Sequence, residues 1–277
     1  MNEIEKRLLF PGCLVLACFQ DYELAAKAVM RRLGMELVDM DDFSCCSSSV
    51  VPSMSDDWIN LDAYNLGLAE SRRMDIVTLC GSCTRTLKQA NKKLKGDAAL
   101  LEKVNERLAE AGAHYNGTVR VNHLIEVLDE KRSLIEKMER KSLDYRVALS
   151  HPCNVIRPSS VAQFDDPWRP QKMRKVLEAA GVQVVDYELE YECCGATLLM
   201  VNEKLALDAA AAKMRSAIEA GADALVVSCG NCYMLLDRFR HKIQEAHPEI
   251  SLPIMFLPQV LGQVLDVSCR ELGLELV

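Results

Sequence analysis

Ten of the twelve cysteines in this 277-residue chain fall into one pattern written twice. In the first half, 31 residues separate Cys13 from the adjacent pair Cys45–Cys46, and 33 more lead to Cys80-Gly-Ser-Cys83. In the second half, 39 residues separate Cys153 from Cys193–Cys194, and 34 lead to Cys229-Gly-Asn-Cys232. Taken alone, the CxxC in "DIVTLCGSCTRTLKQANKKL" (75–94) is a redox dithiol, half a zinc site or half an iron–sulfur site. Five thiols per half say more. A structural zinc takes four ligands in a tetrahedron, and an ordinary cubane takes one per iron. Side chains of adjacent cysteines diverge, so a pair binds two metal atoms more readily than it chelates one. A polynuclear cluster with an extra thiolate, opened away from the cubane shape, fits the count best. A thiol–disulfide exchanger, with its thiolate stabilised at a helix N-terminus, needs one CxxC and leaves the adjacent pairs unexplained. A pair of structural zinc sites leaves thiols over.

The elements that must position these thiols repeat as well. "GMELVDMDDFSCC" (34–46) and "GVQVVDYELEYECC" (181–194) each open with glycine after a helical segment, alternate as a strand and end in a cysteine pair. A helical stretch follows each pair, then a strand running into the CxxC. "VRVNHLIEVLDE" (119–130) and "PIMFLPQVLGQVLD" (253–266) both read as a strand followed by a short amphipathic helix. "RLLFPGC" and "YRVALSHPC" are strands that end at the single cysteines. Strands alternating with helices imply parallel pairing and right-handed crossovers. The expected fold is α/β, with two pseudo-symmetric Rossmann-like domains from an internal duplication and mainly parallel sheets. The boundary falls near Leu143, giving residues 1–142 and 143–277, with "DEKRSLIEKMERKSLD" as a charged connecting helix. In such sheets the loops at the carboxyl ends of the strands gather on one edge. Three loops would therefore deliver five thiols to one place in each half.

Bulk composition narrows the function. About half of the residues are apolar and the formal net charge is −7, with no basic stripe, which argues against nucleic acid. "MNEIEKRLLF" has no long apolar core of a signal peptide, and no apolar run approaches the ~20 residues of a membrane span. A cytoplasmic protein is expected, where so many cysteines point to metal or redox chemistry rather than to disulfides. Without a GxGxxG or P-loop, any flavin, nicotinamide or ATP belongs to other chains.

A single cysteine, a CC(G) pair and a CxxC at these spacings resemble the cysteine-rich CCG domain. Two copies in one chain of this length resemble the B subunit of heterodisulfide reductase. The resemblance extends to "FDDPWRPQKMRKVLEAAGVQVVDY...CCGA" and "VNHLIEVL". It implies a noncubane four-iron (4Fe-4S) cluster in each domain. The ligands would be Cys13, Cys45, Cys46, Cys80 and Cys83 in one, and Cys153, Cys193, Cys194, Cys229 and Cys232 in the other. It also implies reductive cleavage of a disulfide substrate at these clusters, with electrons arriving from an iron–sulfur subunit (C) and a flavin subunit (A). The competing class is an electron-transfer subunit with no substrate of its own. Only the second pair is followed by glycine (Gly195); Ser47 takes that place in the first, where glycine would let backbone approach closely. His151, two residues before Cys153, is the candidate proton donor to a departing thiolate, against a packing role. Cys18 reads as a buried free thiol near the site and Cys269 as incidental. His123 reads as a core or interface residue, and His114, His241 and His247 as surface positions.

Overall fold

Strand β1 (Glu5–Phe10) alternates its side chains with the period of two that a strand dictates. Leu8 and Phe10 enter one apolar cluster together with Ile76, while Leu9 enters a second together with Val77. This is the pattern of a sheet covered on both faces. In the computed structural model, which describes residues 4–47 and 55–274, β1 lies parallel to β2 (Met35–Val38) and β3 (Ile76–Thr78). Strand β3 lies parallel to β4 (Val121–His123), so the order is β2-β1-β3-β4. The serines beyond Ser47 fall outside the described residues. Around this sheet run α1 (Cys13–Cys18), α2 (Gln20–Arg32), α3 (Trp58–Ser71), α4 (Gly81–Gly96), α5 (Ala98–Glu110), α6 (Leu124–Glu130) and α7 (Arg132–Lys137). Helix α2 carries Asp21 and Glu23 in its first turn and Arg31 and Arg32 in its last, matching the helix dipole. It gives way to β2 at Gly34, whose φ of 77° suits glycine.

The second half repeats the plan. Strands β5 (Val147–Ser150), β6 (Ala224–Val227) and β7 (Ile254–Phe256) pair in parallel, in that order. The accompanying helices are α8 (Cys153–Ile156), α9 (Ser159–Ala162), α10 (Lys172–Ala179), α11 (Glu203–Glu219), α12 (Gly230–Tyr233), α13 (Arg240–Ala246) and α14 (Leu257–Val264). Two sequence expectations are corrected. The alternating stretch 181–194 forms no strand: it touches the sheet at one bridge, Val184 to Val147. Beyond Tyr187 the backbone turns, and its carbonyls are taken by a lysine ammonium instead of a neighbouring strand. The charged connecting helix also stops early, at Lys137, after which the Lys141 amide donates to the Val264 carbonyl at 2.8 Å.

The two sheets do not have separate cores. One apolar cluster belongs to the first half alone, with Trp58, Ile59, Leu66, Leu87 and Tyr115 among its members. The other runs without a break from the α2 face of the first sheet into the second half. At its centre Tyr22 stacks on Phe256, with ring centroids 4.0 Å apart and planes 4° apart, and Tyr233 stacks on the same ring at 4.1 Å. The buried Tyr22 hydroxyl pairs with the Ser228 hydroxyl at 2.9 Å. Helix α2 packs on α14 and α6 on α10, so each half covers a sheet face of the other. Among the described residues, no helix is long and apolar enough to cross a membrane.

Candidate metal centre

Six of the ten repeated cysteines stand at helix N-termini. Cys13 and Cys153 are the first residues of α1 and α8. Cys80 and Cys229 stand immediately before α4 and α12, with Cys83 and Cys232 in the first turns. Helix N-termini favour negative charge, so the fold aims its positive backbone dipoles at the thiols. Local bonds fix the geometry. The Thr78 and Thr84 hydroxyls meet at 2.7 Å, and Thr84 Oγ1 lies 2.9 Å from the Cys80 carbonyl oxygen, tying β3 to the first turn of α4.

Each adjacent pair is anchored by a buried side chain of the helix that follows it. Asn65 on α3 accepts the Ser44 amide at 2.8 Å and donates to the Ser44 carbonyl at 3.2 Å. Lys213 on α11 donates to the carbonyls of Leu189, Glu190 and Glu192 at 2.7, 3.0 and 2.9 Å. The residue held is in each case the one just before the pair, Ser44 before Cys45 and Glu192 before Cys193. After the pairs, Gly195 and Ser47 both adopt left-handed backbone, with φ of 94° and 61°. The sequence difference at this place therefore changes the residue and not the turn.

Within and between halves the thiols form a row. The Cys46 and Cys83 sulfurs are 3.1 Å apart, and Cys194 and Cys232 are 3.3 Å apart. Cys80 acts on Cys83, Cys229 on Cys232, and both Cys153 and Cys194 on Cys193. The halves join where Cys80 and Cys229 act on each other. Cys13 and Cys45 bond each other, and the charge of Cys46 acts on Cys45. The middle positions of the motifs complete the join: the Ser82 hydroxyl receives the side-chain amides of Asn231 at 3.2 Å and Asn154 at 3.4 Å. A Cβ at Gly81 would meet Cys229 Sγ at 3.5 Å, and one at Gly12, where φ is 85°, would meet Cys83 Sγ at 2.8 Å. Glycine at position 12 allows the closer approach, while the contact at Gly81 is ordinary van der Waals distance.

So dense a set of thiols cannot ionise together without compensating cations. Bonds from Cys153 and Cys194 pull the Cys193 thiol down to about 2, while the same bond and burial push Cys153 up. Cys229 is lowered by Cys232 and Cys80, and Cys80 is raised chiefly by Cys229. A bound metal deprotonates coordinating thiols outright and removes this conflict. The donor set fits an iron–sulfur group: thiols alone, five from each half, at helix N-termini and in the loops that carry the adjacent pairs. Beside the first set, the Ser47 hydroxyl and both carboxylate oxygens of Asp62 are buried without hydrogen-bond partners among the described residues, and burial with the Cys46 charge pushes the Asp62 pKa well up. Among the described residues, no three histidine, cysteine or acidic side chains surround a single metal-ion position. None of the twelve cysteines forms a disulfide in this structure.

Access differs along the row. Cys13, Cys45 and Cys193 are exposed and Cys153 is half-buried, whereas the other six are buried. A cavity of about 410 Å³ lies against Cys13 and Cys45, with Phe10, Met40 and Phe43 in its wall and Asp39 and Asp41 at its rim. His151 does not lie open to solvent. It is buried, with Nε2 3.0 Å from Glu190 Oε1, and its ring stacks on Tyr191. Glu190 is also gripped by Arg174 at 2.9 Å. Burial lowers the His151 pKa against the opposing pull of Glu190. Cys18 is exposed and bonds none of the row, correcting its reading as a buried thiol; its helix turns Cys18 and Leu16 outward. Cys269 is exposed. His123 is fully buried and caps α6, accepting the Ile125 amide at Nδ1. His114 and His241 are exposed, and His247 bonds Asp208. Sequence reading passed over Asp62, Asn65 and Lys213. Asp62 and Asn65 stand three apart within the apolar run of α3, and Lys213 interrupts "ALDAAAAKM"; a polar residue on the buried face of a helix was the available signal.

Two doubly wound parallel sheets that gather ten thiols at one seam define a duplicated cysteine-rich protein. The CCG cysteine-rich domain matches residues 8–88 and again 147–237, and the chain belongs to that family, among the relatives of the heterodisulfide reductase B subunit. It is 32% identical to the B subunit of the ferredoxin/F(420)H(2)-dependent CoB-CoM heterodisulfide reductase of Methanosarcina acetivorans, over 98% of this chain and 92% of that one. It is 28% identical to the 8-methylmenaquinol:fumarate reductase membrane anchor subunit of Wolinella succinogenes, over 96% and 94%. A hypothetical protein of Helicobacter pylori shares the fold, with a TM-score of 0.80 at 20% identity. That alignment takes in 99% of this chain, which spans about half (52%) of the Helicobacter chain.

Proposed function

We propose that this chain is the iron–sulfur catalytic subunit of a heterodisulfide reductase-like complex. In this reading residues 1–142 and 143–277 each hold one noncubane four-iron cluster through their five cysteines. The observation that carries it is the single row of ten thiols, joined across the halves at Cys80 and Cys229. The clusters, when bound, supply one electron each and an iron coordination position for sulfur. Cleaving R–S–S–R′ takes two electrons and two protons and yields RSH and R′SH, so two one-electron centres side by side match the chemistry. The chain's own residues do the rest. Helix N-termini and the Gly81 and Gly195 amides hold the thiolates. The cavity beside Cys13 and Cys45 admits a small molecule to the first set. Glu190 orients His151 through Nε2, leaving Nδ1 as the nitrogen that exchanges a proton with a departing thiolate. Electrons come from an iron–sulfur subunit (C) and a flavin subunit (A), in the cytoplasm. Anaerobic turnover of disulfides with the reduced iron–sulfur partner tests the reading. Cys46→Ser and Cys194→Ser should each abolish turnover and change the spectrum of their own half, while Cys269→Ser changes neither.

A second reading has support of its own. The Wolinella relative carries the name of a fumarate reductase subunit, so this build of chain serves in a complex named for another substrate. In that case this protein passes electrons without meeting a substrate. Cluster spectra that respond to the iron–sulfur partner and to no disulfide would select this second reading.

A further inference from the structure

The anchors of the two cysteine pairs are at equivalent places but carry different charge. Asn65 stands six residues before the end of α3, and Lys213 six before the end of α11. Each reaches the carbonyl of the residue preceding its pair. Asn65 is neutral, whereas Lys213 places a whole ammonium inside the second half, 1% exposed. Its three N–H bonds all end on backbone carbonyls, a set of partners suited to –NH₃⁺. The Tyr187 ring covers it at 5.3 Å. The neighbouring carboxylate, Glu190, is engaged by Arg174 and His151, and Arg174 also meets Asp186 and Glu178. Burial lowers the Lys213 pKa, and the neighbouring Cys194, Cys232 and Cys193, together with Glu190, pull it back up. Beside the first set, the buried group on which the Cys46 charge acts is the Asp62 carboxyl, whose charged form has the opposite sign to an ammonium.

A buried cation stabilises whichever state of a neighbouring group is more negative, and for a metal cluster that is the reduced state. We propose that Lys213 is a positioning and tuning residue that makes the second-half centre the more oxidising of the two. An electron delivered to the chain then settles in the second half, and the halves, alike in fold, are unlike in role. This rests on the reading that each half holds an iron–sulfur cluster.

The test is anaerobic redox titration followed by electron paramagnetic resonance. It is run on the whole chain and again in a Cys13→Ser/Cys45→Ser background that isolates the second-half signal. Lys213→Gln keeps donors for the carbonyls and removes the charge, Lys213→Met removes both, and Lys213→Arg keeps the charge. The two neutral variants should lower the second-half midpoint by a tenfold or larger change in the reduction equilibrium, 59 mV for one electron. The arginine variant should stay within threefold, and the first-half midpoint should not move. Loss of second-half iron in both neutral variants but not in Lys213→Arg would equally assign the charge to holding these thiolates. An unshifted midpoint in Lys213→Gln or Lys213→Met at full iron content overturns the proposal. So does loss of second-half iron in all three variants. Wild-type protein without iron would instead refute the cluster reading itself.

Discussion

Replacing Phe256 with alanine, in the second half, should weaken the first half as much as the second. The ring is fully buried and lies between Tyr22, at 4.0 Å, and Tyr233, at 4.1 Å. Truncating a buried phenylalanine costs about 3–5 kcal/mol, and each lost aromatic pair adds roughly 0.5–1.5 kcal/mol. Against a total stability of about 5–15 kcal/mol this is a large share. The chain carries its own reporter. It has two tryptophans, and Trp58, 2% exposed in the first half's private cluster, will dominate the fluorescence change because Trp168 is already 75% exposed. In urea the Trp58 transition of Phe256→Ala should move down by about 1–2 M, and circular dichroism should trace the same curve. If Trp58 melts at the wild-type midpoint while circular dichroism shows an earlier transition, the halves are independent units and the shared core does not couple them.

Three further outcomes follow from single residues. Ser47→Gly should raise the thermal midpoint, because Ser47 holds a φ of 61° that costs a side-chain-bearing residue about 1–2 kcal/mol; differential scanning calorimetry reads it. Asp62→Asn should stabilise the metal-free chain at pH 7 by roughly 1–3 kcal/mol, since an unpartnered buried carboxylate is removed. The folded-state pKa of Asp62 is raised above 3.8, so its penalty grows as pH rises, and the gain should vanish in urea melts below about pH 4. Asn231→Leu should strip the bond to Ser82 at the join of the halves and weaken stability by about 1–3 kcal/mol, readable as a lower urea midpoint, whereas the exposed Cys269→Ser should leave it unchanged.

The duplication made most of the fold legible. Strands β1 to β7 fall where apolar alternation or a short apolar run ends before a cysteine, a turn or, for β4 and β7, the helix that follows at once, because a covered parallel sheet demands such runs. The stretch 181–194 misled because Glu188, Glu190 and Glu192 alternate with other residues as a half-exposed strand would. The partner that bends it, Lys213, lies far along the chain. Cys18 misled because helical spacing alone does not show which side of α1 meets solvent. The ten thiols were legible from type and spacing, but their union into one row was not. A repeat describes each half by itself, and the meeting of Cys80 with Cys229 is a relation between the halves, as is the packing of Tyr22 on Phe256. The polar residues that hold the loops, Asn65 and Lys213, act through hydrogen bonds to backbone, which leave no motif in the sequence.

Iron and acid-labile sulfide, measured on protein purified without oxygen and again on the Cys46→Ser and Cys194→Ser variants, test the central claim most directly. The wild-type chain should be brown and hold about four irons in each half, with sulfide to match. Each variant should lose or alter the centre of its own half alone. Colourless protein carrying stoichiometric zinc after anaerobic reconstitution would contradict the claim and make the ten thiols a structural device.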